Sequence, residues 1–195
     1  MKTQKLIPAV VLTLLALPVF AQSTTTELQR DVRQQQRIEN GLKSGQLTTR
    51  EASKLERQES HVSKVEAKAM KDGTVTPAEQ NRIQTMQNKV GRNINAQKHD
   101  AQVGNPASAS SQRMRADVQR NVNQEKRIQN GVESGALDPH EAARMQRTQS
   151  RLQRKQARVG RDGHVSAAEQ HRVRRAEHRD SRRLFRQKHD AQHGA

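Results

Sequence analysis

The chain contains no cysteine, no tryptophan and no tyrosine, and it has only two phenylalanines and five prolines among 195 residues. Without cysteine no disulfide can stabilise the fold, which must be held by packing alone. Single-stranded nucleic acid is usually held by stacking on aromatic side chains. This sequence offers almost none of them, so that mode of binding is disfavoured.

Apolar residues are also scarce, whereas basic residues are abundant. Only 28 of the 174 residues after Ala21 are Val, Ile, Leu, Met or Phe, and the whole chain has a net charge of +16. Such a composition also occurs in disordered chains, so we expect marginal packing. A basic surface attracts anions in general, including membrane lipids, lipopolysaccharide phosphates, nucleic acids and acidic proteins.

The first 21 residues have the features of a secretory signal peptide. Lys2 and Lys5 precede an apolar run that ends in small residues at Ala21. The run is short for a membrane span and contains two prolines. We therefore predict cleavage after Ala21, no stable membrane span afterwards, and a periplasmic or secreted protein. Export also argues against intracellular nucleic acid as a partner.

A short turn signal occurs four times, at 44–51, 72–79, 134–141 and 162–169. In each copy a glycine suits the left-handed residue that ends a helix. Three residues later comes Thr, Asp or Ser, a natural N-cap, and a glutamate three residues beyond completes a capping box. Each signal therefore predicts the end of one helix and the start of the next.

The two halves of the chain are a tandem repeat at an offset of 90 residues. From Glu27 to Gly104, 31 of 78 positions are identical to their counterparts. Apolar spacing of three and four residues predicts helices, and no window alternates with period two as a strand would. We predict an all-α fold of two tandem three-helix units made of antiparallel helical hairpins. The predicted segments are a signal peptide at 1–21, the first repeat at 22–102, a flexible linker at 103–112 and the second repeat at 113–195.

Three local details refine this plan. A capping box at 24–27 would open the first helix. Gly41 and Gly131 fall inside helices, where close approach of a neighbouring helix would explain them. The last helix has a poor apolar stripe that would include Leu184 and Phe185.

Two charged features are candidate interaction sites. The last helix carries seven arginines spread around its circumference, which would form a broad patch for a polyanion or protein partner: Arg172, Arg174, Arg175, Arg179, Arg182, Arg183 and Arg186. A segment Gln-Lys-His-Asp-Ala-Gln occurs whole in both repeats, and its basic residues favour the C-terminus of a helix. Its charged members are Lys98, His99 and Asp100, repeated as Lys188, His189 and Asp190.

Two kinds of metal site are alternatives. Asp-Gly followed by Glu resembles the second half of an EF-hand calcium loop, although Lys68 and Met70 stand where the first ligands belong. His189 and His193 are four residues apart and could bind zinc or copper from one helix face. The candidate calcium ligands are Asp72, Glu79, Asp162 and Glu169. Apart from these ions no cofactor is expected.

The motifs Ser-Gly-x-Leu-Thr-x-x-Glu at 44–51, Asp-Gly-x-Val-Thr-x-x-Glu at 72–79 and Gln-Lys-His-Asp-x-Gln at 97–102 carry a resemblance. Behind a signal peptide, they resemble a group of small exported proteobacterial proteins of unassigned function. The turns are also similar, more weakly, to the Leu-Thr-x-x-Gln turns of Spy-type periplasmic chaperones, with Glu in place of Gln. That resemblance implies a small, basic, all-helical binding protein.

No nucleophile–base pair, phosphate-binding glycine loop or pair of buried carboxylates is evident in the sequence, so we do not expect an enzyme. We expect a chaperone-like binding module for unfolded or acidic envelope clients. The alternatives are an ion-binding envelope protein and a structural protein that binds polyanions.

Overall fold

The computed structural model describes residues 19–189, with side chains from residue 24 onward, and in this range it is all-helical. The first repeat contributes α1 (Val19–Ser44), α2 (Thr49–Ala69) and α3 (Pro77–Lys98), and a short 3-10 turn extends α2. The second repeat contributes α4 (Ala109–Glu133), α5 (Pro139–Val159) and α6 (Ala167–Lys188). The predicted all-α fold with three helices per repeat is confirmed.

The four turn signals form the predicted caps. Gly45, Gly73, Gly135 and Gly163 all have positive φ, between +71° and +89°. Such values favour glycine because it has no Cβ to clash. The N-caps of α2, α3, α5 and α6 each accept a hydrogen bond from the backbone of the glutamate three residues on, whose side chain accepts one in return. These are complete capping boxes.

The predicted cap at 24–27 is wrong, because α1 begins at Val19 and runs through those residues. Helical residues precede Thr24, so its hydroxyl has no free helix end to cap, and the residue is fully buried. Most of the predicted signal peptide, residues 1–18, lies outside the described part of the chain. The segment assigned to the linker, 103–112, contains the start of α4 at Ala109.

The two repeats pack against each other along their whole length. The helix α1 lies antiparallel to α4, and α2 lies antiparallel to α5, which makes a central layer of four helices. At the middle of the α2–α5 contact the hydroxyl of Ser150 donates to the carbonyl oxygen of Ser60 at 2.7 Å. These two serines occupy equivalent repeat positions, so a pseudo-two-fold axis passes between them. The sequence had left open whether the repeats pack together.

The outer helices complete the molecule on opposite sides. The helix α3 packs on α1 and α2, and α6 packs in the same way on α4 and α5. Apolar side chains gather in two main clusters, one around Ile38, Leu55 and Met114 and the other around Leu28 and Ile128. No helix within residues 19–189 is long and apolar enough to span a membrane.

Two expectations about single residues are corrected. Phe185 is not part of the core: 56% of its surface is exposed, and its ring stacks on His189. Gly41 and Gly131 do not accommodate a neighbouring helix. They make room for Leu47 and Leu137, which fold back from the following turn and donate their backbone N–H to the glycine carbonyl oxygens at 3.0 and 2.9 Å.

We predict that Gly41→Ala destabilises the protein by about 1–3 kcal/mol, the usual cost of overpacking a core. A Cβ at position 41 would lie 2.6 Å from Cγ and Cδ1 of the buried Leu47. The matched control is Gly91→Ala in α3, where the nearest atom to the new methyl would be Gln34 Nε2 at 3.5 Å. That control should gain about 0.5–1 kcal/mol from helix propensity. Urea unfolding measures both, and equal stability of the two variants would contradict the assignment.

Candidate functional site

Opposite charges are separated between the interior and the exterior of the molecule. None of the 34 Lys and Arg residues between 24 and 189 is buried. Ten of the 19 acidic residues in the same range are buried: Glu27, Asp31, Glu51, Glu56, Glu59, Glu66, Asp117, Glu125, Glu141 and Glu177. Of these, Glu51 and Glu141 belong to capping boxes and the other eight lie among the packed helices.

The interior carboxyl groups are linked by side-chain amides. On one side of the pseudo-two-fold axis, Gln87 Nε2 donates to Asp31 Oδ1 at 2.7 Å and to Glu66 Oε1 at 3.1 Å. Nearby, Gln146 and Gln149 donate to the two carboxyl oxygens of Glu125 at 3.1 and 3.3 Å. The amides supply protons to oxygens that would otherwise be buried without partners.

The other side of the axis has a second network of the same kind. Asn121 Nδ2 donates to Glu56 Oε2 at 3.1 Å, and Asn121 exchanges two hydrogen bonds with Gln156. Gln156 Nε2 also reaches Glu177 Oε1 at 3.3 Å. Here Arg120 reaches in from a partly exposed position and pairs with both Asp117 and Glu177.

Acids and amides alternate between the repeats. At six pairs of equivalent polar positions one repeat has a carboxyl group and the other an amide: Asp31 and Asn121, Gln35 and Glu125, Glu56 and Gln146, Glu59 and Gln149, Glu66 and Gln156, Gln87 and Glu177. Two identical repeats would place acids at both members of each pair. The divergence replaces one of them by a hydrogen-bond donor, so the interface avoids like charges in a low-dielectric interior.

Burial raises the pKa of these carboxyl groups. It brings the pKa of Glu56 to about 8 and that of Asp31 to about 7. For Glu125 burial and the neighbouring Asp31 together raise the pKa to about 8, and the same two causes raise the pKa of Glu59 and of Glu66 well above the ordinary value. A neutral carboxyl group does not offset a surface cation, so the exterior keeps its positive charge.

The exterior of α2 and α5 carries two ladders of basic side chains, which we call the basic ladders. On α2 and the 3-10 turn that extends it, the members recur every three or four residues and all are exposed: Arg50, Lys54, Arg57, His61, Lys64, Lys68 and Lys71. On α5 the equivalent positions are also basic and exposed: His140, Arg144, Arg147, Arg151, Arg154, Arg158 and Arg161. This spacing keeps each ladder on one face of its helix.

The seven arginines predicted as a patch on the last helix are all exposed on α6. They spread around that helix, as expected, and two of them approach the ladders. Arg183 and Arg186 line a groove together with Arg144, Arg147 and Arg151 of α5. The other five stand apart from that groove.

The doubled Gln-Lys-His-Asp-Ala-Gln segment ends a helix in both repeats. The Nδ1 of His99 donates to the carbonyl oxygen of Asn95 at 2.8 Å, and His189 makes the same bond to Phe185. The helices α3 and α6 end at Lys98 and Lys188. Asp100 accepts from the backbone N–H of Gln102 at 2.9 Å, whereas Asp190 lies outside the described residues.

The carboxyl groups suggested for calcium have partners within the turns. Glu79 and Glu169 accept the hydrogen bonds of their capping boxes, and Asp72 and Asp162 accept backbone N–H groups two residues on. Between residues 24 and 189 no three His, Asp or Glu side chains are placed to hold a metal ion together. His193 lies outside this range, so the His-based alternative and the calcium alternative stay predictions.

The sequence interpretation missed both the buried carboxyl groups and the ladders. It found no pair of buried carboxylates, and the buried acids show that this is wrong. They were missed because acids on the inner faces of α1 and α2 look the same in sequence as acids that face water. The ladders did leave a signal: a basic residue every three or four positions, repeated 90 residues later. Comparisons with protein-family models, curated proteins and solved structures find no match for this chain.

We predict that the protein becomes less stable as pH rises from about 5 to about 8. The buried carboxyl groups have pKa values raised from 4.5 to about 8 for Glu27, Glu56 and Glu125, so the folded state binds more protons than the unfolded state in this window. Their contribution is fully present below the unfolded pKa and is lost as pH rises through the folded pKa. Thermal unfolding followed by circular dichroism at constant ionic strength checks this, and a melting temperature that rises with pH would contradict it.

We predict that Glu59→Gln raises stability at pH 8 by about 1 kcal/mol, or about 2–4 °C in melting temperature. Glu59 is 1% exposed, and burial together with Asp31, Glu56 and Glu125 raises its pKa well above the ordinary value. Glutamine has nearly the same shape and is the residue at the equivalent position 149. The gain should shrink at pH 5, because burial raises the pKa of Glu59 and protonation removes the buried charge as pH falls. The control is Glu39→Gln, at a partly exposed position, and it should leave the melting temperature unchanged at both pH values.

Proposed function

We propose that this is a non-enzymatic binding protein of the cell envelope or the secreted fraction, whose basic exterior binds anionic polymers of that compartment. The observation that carries the proposal is the separation of charge: between 24 and 189 ten of the 19 acidic residues are buried, whereas none of the 34 Lys and Arg residues is. An exterior of this kind attracts polyanions and brings them in rapidly at low ionic strength.

The surface grooves have the same character. Five grooves of about 260 to 810 Å³ are lined mainly by Arg, Lys, His, amide and small side chains, and the largest of them also by Val65 and Met86. No carboxyl group between residues 24 and 189 lines any of the five. An anion entering one of them would meet cations without a competing carboxylate, and guanidinium groups bind phosphate and carboxylate in a bidentate manner.

The same grooves support a non-enzymatic role. The carboxyl groups with raised pKa are buried among helices, except for the partly exposed Asp180, and none of them lines one of the five grooves. A general acid or base must come within hydrogen-bond distance of its substrate. We therefore assign these groups to the interior of the fold and not to a reaction.

A chaperone-like role for acidic clients is the second candidate, because the same cationic surface would hold them. The exposed large apolar residues between 24 and 189 are Val103 and Phe185, which lie far apart in sequence on different elements. Capture of unfolded clients through apolar contacts would require a larger contiguous apolar surface. Acidic clients are therefore the form of this role that the surface favours.

We predict that the full chain without residues 1–21 binds lipopolysaccharide, polyphosphate and polyglutamate, with affinity falling at least about tenfold between 50 and 200 mM NaCl. Fluorescence anisotropy or calorimetry measures the binding, and neutral dextran is the control ligand. Tightest binding of polyglutamate would favour the acidic-client role. Absence of binding to all three polyanions at 50 mM NaCl, or equal binding of dextran, would overturn the proposed function.

A further inference from the structure

The basic ladders of α2 and α5 face the same side of the molecule and line a series of adjoining grooves. Near the start of α2, Arg50 and Arg57 share a groove of about 530 Å³ with Arg161, in the turn that follows α5. The next groove, of about 260 Å³, shares Arg57 and Arg161 with the first and adds His61 and Arg154. Adjacent grooves thus have lining residues in common.

The series of grooves continues to the other end of the two helices. A groove of about 810 Å³ shares His61 and Arg154 with the previous one and is lined from α5 by Arg147 and Arg151. Those two arginines also line the last groove, of about 390 Å³, which reaches Arg186 of α6. We call this series of four grooves, with the ladder residues from Arg50 to Lys71 and from Arg144 to Arg161 that line it, the basic track.

The shape of the basic track favours a linear polymer as the ligand over a flat charged surface such as a membrane. The track follows helices of 21 residues each, so it is about 30 Å long, with a cation about every 5 Å along each side. In the three grooves that contain α2 residues, cations of the α2 and α5 ladders stand on opposite sides, and in the last groove the opposite side is formed by Arg183 and Arg186 of α6. This arrangement suits a strand lying between them.

A membrane surface would instead call for an exposed apolar face on the helix. The track has large apolar lining only from Val65 and Met86, which are partly buried, and the exposed Val103 and Phe185 lie outside it.

The chemistry of the basic track favours phosphate. All six charged members of the α5 ladder are arginine, whose planar guanidinium matches the oxygens of a phosphate group. No Phe, Tyr or Trp lines the four grooves and His61 supplies their one ring, so bases would find few aromatic side chains on which to stack. A phosphate chain without bases satisfies both observations better than a nucleic acid strand does.

The symmetry of the basic track also favours a phosphate polymer over a nucleic acid strand. Because α2 and α5 are antiparallel and their ladder positions are equivalent, the track presents nearly the same charges when read from either end. A nucleic acid strand has a direction, but a simple linear phosphate polymer has none. A ligand without direction can therefore use the two ladders equally well in both orientations.

The geometry points to the basic track as the docking site of a linear phosphate polymer that lies along the groove between α2 and α5. This inference rests on the proposed function and adds to it both the location and the ligand. The arginines of the α5 ladder hold the chain by charge-assisted hydrogen bonds, and the Lys residues of the α2 ladder supply point charges on the opposite side.

The test compares two triple variants of equal net charge in the full chain without residues 1–21. The track variant is Arg147→Gln, Arg151→Gln and Arg154→Gln, and the control variant is Arg172→Gln, Arg175→Gln and Arg182→Gln on α6. All six arginines are exposed, and those of the control line none of the five grooves. The melting temperature of each variant is measured first, and binding is compared only at temperatures where both are folded.

With inorganic polyphosphate as probe at 150 mM NaCl, we expect the track variant to lose at least about tenfold in affinity and the control to lose less than about twofold. The slope of log affinity against log NaCl should fall by about 2 in the track variant, since each lost contact to a flexible polyanion removes about 0.7. Affinity should also rise with polymer length until the chain spans about 30 Å, the length set by the helices.

Equal losses in the two variants would overturn the basic track while leaving polyanion binding in place. Wild-type binding to lipopolysaccharide or to polyglutamate but not to polyphosphate would overturn the choice of ligand and keep the proposed function. Failure to bind any of the three would overturn both.

Discussion

The structure depends on one arrangement, the burial of carboxyl groups that are hydrogen-bonded to amides. Ionised carboxylates are costly to bury without a cation as partner. Here the Lys and Arg side chains remain on the surface, although Arg120 reaches inward from a partly exposed position to pair with Asp117 and Glu177. Glu56, Glu66 and Glu125 instead accept hydrogen bonds from Gln and Asn side chains. Burial raises the pKa of all three, to about 8 for Glu56 and Glu125, which favours the protonated form of those two near neutral pH. A polar interior of this kind compensates for the scarcity of apolar residues, since it links all four central helices by directional bonds.

Divergence between the two repeats places an amide, and not a second acid, opposite a buried carboxyl group. An antiparallel pair of identical repeats would bring equal acids close to the pseudo-two-fold axis, as at position 59 and its equivalent 149. The second repeat has Gln149 in place of a second glutamate, and the same exchange occurs at Gln146 and Gln156. The α2 helix therefore supplies the acids and α5 supplies the amides. This pattern favours packing of the first repeat on the second over packing of either repeat on a copy of itself.

The interior also decides the character of the exterior. Each carboxyl group taken inside and kept neutral is one fewer anion on the surface, and the outward faces of α2 and α5 are left with basic residues at every ladder position. Rows of like charge repel one another unless an anion lies between them. The same two helices thus supply the polar interior on one face and the candidate binding surface on the other.

The sequence by itself determined the local architecture: the four glycine turns, the capping boxes at Thr48 and its three counterparts, and three helices in each repeat. These features depend on residues within six positions of each other, so their chemistry can be read along the chain. Only the tertiary structure decided that the repeats pack antiparallel, that Glu56 and Glu125 face inward, and that the α2 and α5 ladders line the same series of grooves. Those outcomes depend on which face of each helix meets another repeat 90 residues away. An acid that faces an amide and an acid that faces water look alike until the partner helix is in place.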